Sequence, residues 1–121
     1  MIRITEENIR QFAELSGDHN PIHIDKEYAK TTVFKRRIAH GALVISYISR
    51  EIAKEFSNSI IRDISFTFIK PAYIGDEIII TLKENCLSEE NIKKIDISVI
   101  NQNRKQIISG DATISIRRNN E

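Results

Sequence analysis

A chain of 121 residues with 18 Lys and Arg against 17 Asp and Glu has a formal charge of +1, so no global field draws it to nucleic acid or an acidic membrane. That length suits one domain, residues 1–121, able to bury roughly two-thirds of its unfolded surface without staples. The single cysteine, Cys86, excludes an internal disulfide, and with no signal-like apolar opening and no run of about 18 apolar residues a cytoplasmic protein is expected.

Thr5 can cap a first helix whose opening turn holds Glu6 and Glu7, where the helix dipole favours acids. Ile9, Phe12, Ala13 and Ser16 mark one face at helical spacing, and Gly17 supplies a stop. Residues 18–25 are expected as a loop, because Pro21 biases Asn20 toward extended backbone and away from a helix. In an extended segment Ile22 and Ile24 would face one way and His23, with Asp25, the other. Asp25 is a good N-cap for a short helix over residues 26–32. Residues 33–40 are irregular and basic. From Gly41 to about Phe56 the period is helical again, with Leu43, Val44, Tyr47, Ile48, Ile52 and Phe56 on a broad apolar face and charges gathered at the far end.

The second half changes period. Ile64, Phe66 and Phe68 alternate with polar partners until Pro71 breaks the run. Gly75-Asp76 reads as a turn before a β-branched stretch over residues 77–87, in which Cys86 is expected as a structural residue. Ile95, Ile97 and Val99 mark a further strand, and residues 101–105 a hairpin turn. Ile108, Gly110, Ala112, Ile114 and Ile116 form one face of the last strand, and residues 117–121 a polar tail. Helices first, then four long strands joined by short turns, predict an α+β domain with an antiparallel sheet long enough to curl around the helix that begins at Gly41.

The residues able to do chemistry gather in two segments, Ser16-Gly-Asp-His-Asn-Pro-Ile-His-Ile-Asp25 and Ala39-His-Gly-Ala-Leu-Val-Ile-Ser46. Asp18 and His23 place a carboxylate and an imidazole on a loop stiffened by Pro21, the equipment of general acid–base catalysis; the second reading of Asp18 is a turn residue capping backbone donors. Gly41 opens a helix whose first N–H groups are free and partly positive, so a substrate oxygen can approach bare backbone; a glycine is also what a close helix–sheet contact requires. His40 either lines that site or caps the helix. Ser49 lies about two turns beyond Gly41 on the same helix and either faces the same cavity or bonds back to a helix carbonyl. Lys35, Arg36 and Arg37 read as a solvated loop or as a contact for phosphates or acidic side chains. Asp18, His19, His23 and Asp25 have donor types that suit zinc, yet no regular element puts them on one face, and no metal is expected.

Gly17-Asp18, Asn20-Pro21, His23 and Asp25, then His40-Gly41, then Ser49, together resemble the MaoC-like family of (R)-specific enoyl-CoA hydratases and dehydratases, which have the hotdog fold. The likeness runs over the whole chain, including Lys70-Pro-Ala-Tyr-Ile-Gly-Asp-Glu77; Lys26 departs from it, standing where the family usually has proline. The resemblance implies an antiparallel sheet wrapped around a long central helix. It implies Asp18 and His23 as the catalytic pair holding one water, Gly41 N–H on the thioester carbonyl, and Ser49, Asn20 and His40 in support. The reaction implied is hydration of a trans-2-enoyl thioester or the reverse dehydration. It needs no cofactor beyond coenzyme A or acyl carrier protein as the carrier of the acyl group, and which of the pair moves which proton stays open. A hotdog acyl-CoA thioesterase and a non-catalytic acyl-binding protein are the alternatives, and at least a homodimer is expected, with no nucleic-acid or membrane partner.

Overall fold

The computed structural model describes residues 1–86 and 88–117. The elements run β1 (Ile2–Arg3), α1 (Glu6–Ser16), α2 (Pro21–Ile24), α3 (Lys26–Lys30), α4 (Gly41–Glu55), β2 (Ser59–Phe68), β3 (Glu77–Glu84), β4 (Ile92–Ile100) and β5 (Gln106–Ile116). The strands form one antiparallel sheet in the order β1-β3-β4-β5-β2. This is the expected α+β plan with one addition: β1, two residues pairing with Ile78 and Glu77, is too short to show a period in sequence.

Local chemistry accounts for the boundaries. Thr5 accepts from the Asn8 amide at 3.0 Å while the Asn8 side chain accepts from the Thr5 amide at 3.2 Å, a reciprocal cap that starts α1. Gly17, in the left-handed region, ends it. Asp25 caps α3 through the Tyr28 amide at 3.0 Å. In the turn before β3, the buried Asp76 carboxylate accepts from the Tyr73 amide at 2.9 Å and the Gln102 side chain at 3.0 Å, joining that turn to the β4–β5 hairpin.

The long helix lies against the inner face of the sheet. Leu43, Val44, Ile48 and Ile52 of α4 share a core with Ile78, Ile95, Ile97, Val99, Ile108 and Ile114. Tyr47 and Phe56, expected on the same face, are only partly buried at its edge. Register sets inner-face neighbours across the sheet: Ile80, Val99, Ile108 and Phe68 in one row, and Leu82, Ile97, Gly110 and Phe66 in the next. Gly110 is dictated by this packing, since a Cβ there would lie 2.3 Å from the Ser65 carbonyl oxygen and 2.7 Å from the Phe66 ring.

Two sequence readings are corrected. Residues 21–24 are a helical turn and not extended chain, because Asn20 caps it by accepting from the Ile22 amide at 3.2 Å and proline is well suited to a first helical position. Ile22 and Ile24 therefore do not share a face opposite His23; His23 is buried and Ile24 exposed. Cys86 is not in a strand but in a turn after β3, and exposed. Leu87 and most of the expected polar tail lie outside the described residues.

Candidate active site

Asp18 sits between α1 and α2 in a loop that ties itself down. Its amide donates to Ser16 Oγ at 3.1 Å, and its Oδ1 accepts from the Asn20 amide at 3.2 Å. The turn reading and the chemical reading are compatible, because the second oxygen is left over. Asp18 Oδ2 faces His23 Nε2 at 3.8 Å, beyond direct hydrogen-bonding range. The turn of α2 achieves this approach by swinging His23 inward while Asp18 stays half-exposed.

His23 Nδ1 is 2.8 Å from the Ile38 carbonyl oxygen, which can only accept, so Nδ1 carries the hydrogen and Nε2 presents a bare lone pair toward Asp18. Burial pushes the His23 imidazolium pKa below its ordinary value; proximity to His40 acts the same way, while the Ile38 hydrogen bond and Asp18 oppose the shift. The resting pair is thus a carboxylate oxygen and a neutral imidazole nitrogen, two acceptors suited to the two O–H bonds of one water.

His40 does not cap α4. Its ring stacks on His23 with centroids 3.9 Å apart and planes at 26°, its other neighbour is the tilted Phe12 ring at 5.0 Å, and its Nε2 lies 3.0 Å from the Asp18 carbonyl oxygen. His40 Nδ1 is buried with no hydrogen-bond partner among the described residues. Asp18, His23 and His40 form the one cluster of potential metal donors among the described residues. Of the other residues weighed as ligands, His19 lies beside Glu14 at 3.8 Å and Asp25 caps α3.

Immediately after His40, Gly41 opens α4, and its amide precedes any intrahelical acceptor. A Cβ at this position would stand 2.7 Å from Phe68 Cε1, so the exposed Phe68 ring would have to swing aside to admit one. Gly41 lines an apolar cleft of about 390 Å³ with Phe34, Ile38, Val44, Phe68 and Ile107. Asp18 and His23 are not in its wall; Ile38, whose carbonyl holds His23, belongs to both. Ser49 is exposed and does not line this cleft, and the serine on α4 that bonds back to a carbonyl is Ser46, to Leu43 at 2.6 Å.

The basic loop is partly anchored. Arg36 lies over the Tyr73 ring at 4.0 Å and Arg37 pairs with Glu6 at 3.0 Å, while Lys35 has φ of 65°. With Lys26, Lys30 and Ile74 the three cations line a second cleft of about 270 Å³. The lysines of α3 in this cleft, the Ile38 carbonyl and the Phe68 cover over Gly41 had no signal in the sequence pattern, since each depends on contacts distant along the chain.

Residues 1–111 match the family model described as "MaoC like domain". The chain belongs to the MaoC-like family. It is 36% identical over 115 residues to an (R)-specific enoyl-CoA hydratase of Rhodospirillum rubrum, covering 93% of this chain and 80% of that protein. It is 36% identical over 113 residues to a mitochondrial 3-hydroxyacyl-[acyl-carrier-protein] dehydratase of Arabidopsis thaliana, covering 90% of this chain and 68% of the relative. Among solved structures it superposes on the unliganded R-hydratase PhaJ1 of Pseudomonas aeruginosa with a TM-score of 0.89 at 35% identity, covering 97% of this chain and 77% of that one. The (R)-hydratase of Aeromonas caviae gives the same TM-score at 29% identity over 96% and 90% of the two chains. The MaoC-like chain accordingly has the hotdog fold, and its relatives are hydro-lyases by name.

Proposed function

We propose that this MaoC-like protein is an (R)-specific hydro-lyase that adds water to a trans-2-enoyl thioester, or removes it from the (R)-3-hydroxyacyl product. The observation that carries the reading is the pair Asp18 Oδ2 and His23 Nε2, two acceptors 3.8 Å apart beside the start of α4.

In the hydration direction a water donates its two hydrogens to Asp18 and His23. Its oxygen attacks the β-carbon as the C–C double bond shifts toward the carbonyl, and the developing enolate oxygen is held by the Gly41 amide. One of the pair takes up the water's proton, the α-carbon then receives a proton, and the carbonyl reforms. Because His23 Nε2 is bare at rest, any proton it delivers to the α-carbon must first have been picked up from the water. Asn20 supports the pair through the Asp18 and Ile22 hydrogen bonds. Ser49 keeps a supporting part only through the likeness of the motif, since it is exposed on α4 and does not line the cleft. No metal or redox cofactor has a part in this scheme.

The carrier is coenzyme A in this reading, its phosphates meeting Lys35, Arg36 and Arg37 in the basic cleft that Lys26 and Lys30 also line. The Arabidopsis relative supports an acyl-carrier-protein ester as the second reading. A cytoplasmic homodimer belongs to the same proposal.

The test is to follow loss of the enoyl chromophore of crotonyl-CoA while a thiol-reactive dye monitors free coenzyme A. Hydration without thiol release is expected; thiol release without hydration would instead mark a thioesterase.

A further inference from the structure

His40 touches three parts of the site at once. Its Nε2 lies 3.0 Å from the Asp18 carbonyl oxygen, its ring backs His23 at 3.9 Å, and its own backbone leads into Gly41. It does none of the ordinary work of a residue in that place: its side chain does not cap α4, it is 2% exposed, and its Nδ1 is buried without a partner among the described residues. A buried polar atom left unsatisfied lowers stability, and a phenylalanine of similar shape would avoid that cost. A histidine here is therefore explained by what its other nitrogen holds.

We propose that His40 is the positioning residue of this site, its Nε2–H fixing the Asp18 loop and its ring fixing the plane of His23. The inference rests on the hydro-lyase reading and deepens it. The Asp18 carbonyl can only accept, so the hydrogen must reside on His40 Nε2. Nδ1 makes no hydrogen bond among the described residues, so Nε2 is the nitrogen through which the ring holds the loop. Asp18 has few other restraints: its amide on Ser16, its Oδ1 on the Asn20 amide, and both of those residues are exposed. Removing the His40 donor frees the Asp18 main chain, and with it the spacing to His23 that a shared water needs.

The experiment pairs His40→Phe, which keeps a flat ring and loses the donor, with His40→Gln, whose amide nitrogen can reach the same carbonyl. His40→Phe is expected to lower kcat for crotonyl-CoA hydration by about 10²-fold, the cost of an ångström-scale misplacement. Its KM should move less than about threefold, since the thioester contacts are untouched. His40→Gln should recover about tenfold of the lost kcat. A His40→Phe enzyme with wild-type kcat, one impaired in KM alone, or a His40→Gln enzyme no better than it would overturn the assignment. Long-range ¹H–¹⁵N spectra of the wild-type protein decide the matter if a variant does not fold: a hydrogen on His40 Nε2 supports the proposal, and a His40 whose hydrogen is on Nδ1 alone overturns it. Those spectra need no turnover. A wild-type protein that hydrates no enoyl thioester would sink the functional reading while the form of His40 is still read.

Discussion

His23 shows how one side chain is set for its task by its surroundings. Its Nδ1–H is held by the Ile38 carbonyl, and burial disfavours its charged form. The folded protein therefore protonates at His23 only below the ordinary value of 6.5, while the unfolded chain binds that proton first as pH falls. The stability linked to His23 is complete above 6.5 and is lost as pH drops through the lower folded value. Titration of the His23 ring by NMR should give a midpoint below 6.5; one above it would contradict the burial argument. The approach of Asp18 to His23, 3.8 Å in the fold, was legible from residue type and motif. The contact of His40 with the Asp18 carbonyl was not, because it depends on a side chain reaching a backbone oxygen 22 positions earlier, with no trace in local spacing.

Two glycines separate packing from function among the elements. Gly110 lies under backbone: a methyl there meets the Ser65 carbonyl oxygen at 2.3 Å, and a strand pair cannot yield. Gly110→Ala should destabilise by about 1–3 kcal/mol or more, read from denaturant midpoints. At Gly41 the obstacle is the Phe68 ring at 2.7 Å, which is 56% exposed and can swing aside. Gly41→Ala should keep its fold and melting temperature yet lose about 10²–10³ in kcat as the methyl screens the amide. Adding Phe68→Ala should not restore it; recovery in that double variant would assign Gly41 to packing only. Thr5→Ala, which removes half of the reciprocal cap on α1, should cost about 1 kcal/mol by thermal melting. The four long strands and α4 were legible because their periods are sustained. The turn of α2 was misread because asparagine before proline suits both an extended segment and a capped first turn, and four residues show no period.

For the molecule as a whole, β2 is a ten-residue edge strand, and it carries exposed Ile60 and Phe68 next to exposed Ile69. A long apolar edge of this kind is ordinarily covered, and pairing with a second copy would cover it. Light scattering should report at least a dimer; a monomer at micromolar concentration would contradict this. The family assignment was legible through the resemblance of the two segments to the MaoC-like motif, whereas the basic cleft was not, since α3 supplies two of its lysines from another part of the chain.

The most direct trial of the central claim replaces Asp18 by Asn and His23 by Ala, one at a time, and measures crotonyl-CoA hydration by each folded variant. Each should fall by at least about 10²-fold, the contribution of a positioned proton-transfer group. Full activity in either variant would contradict the account.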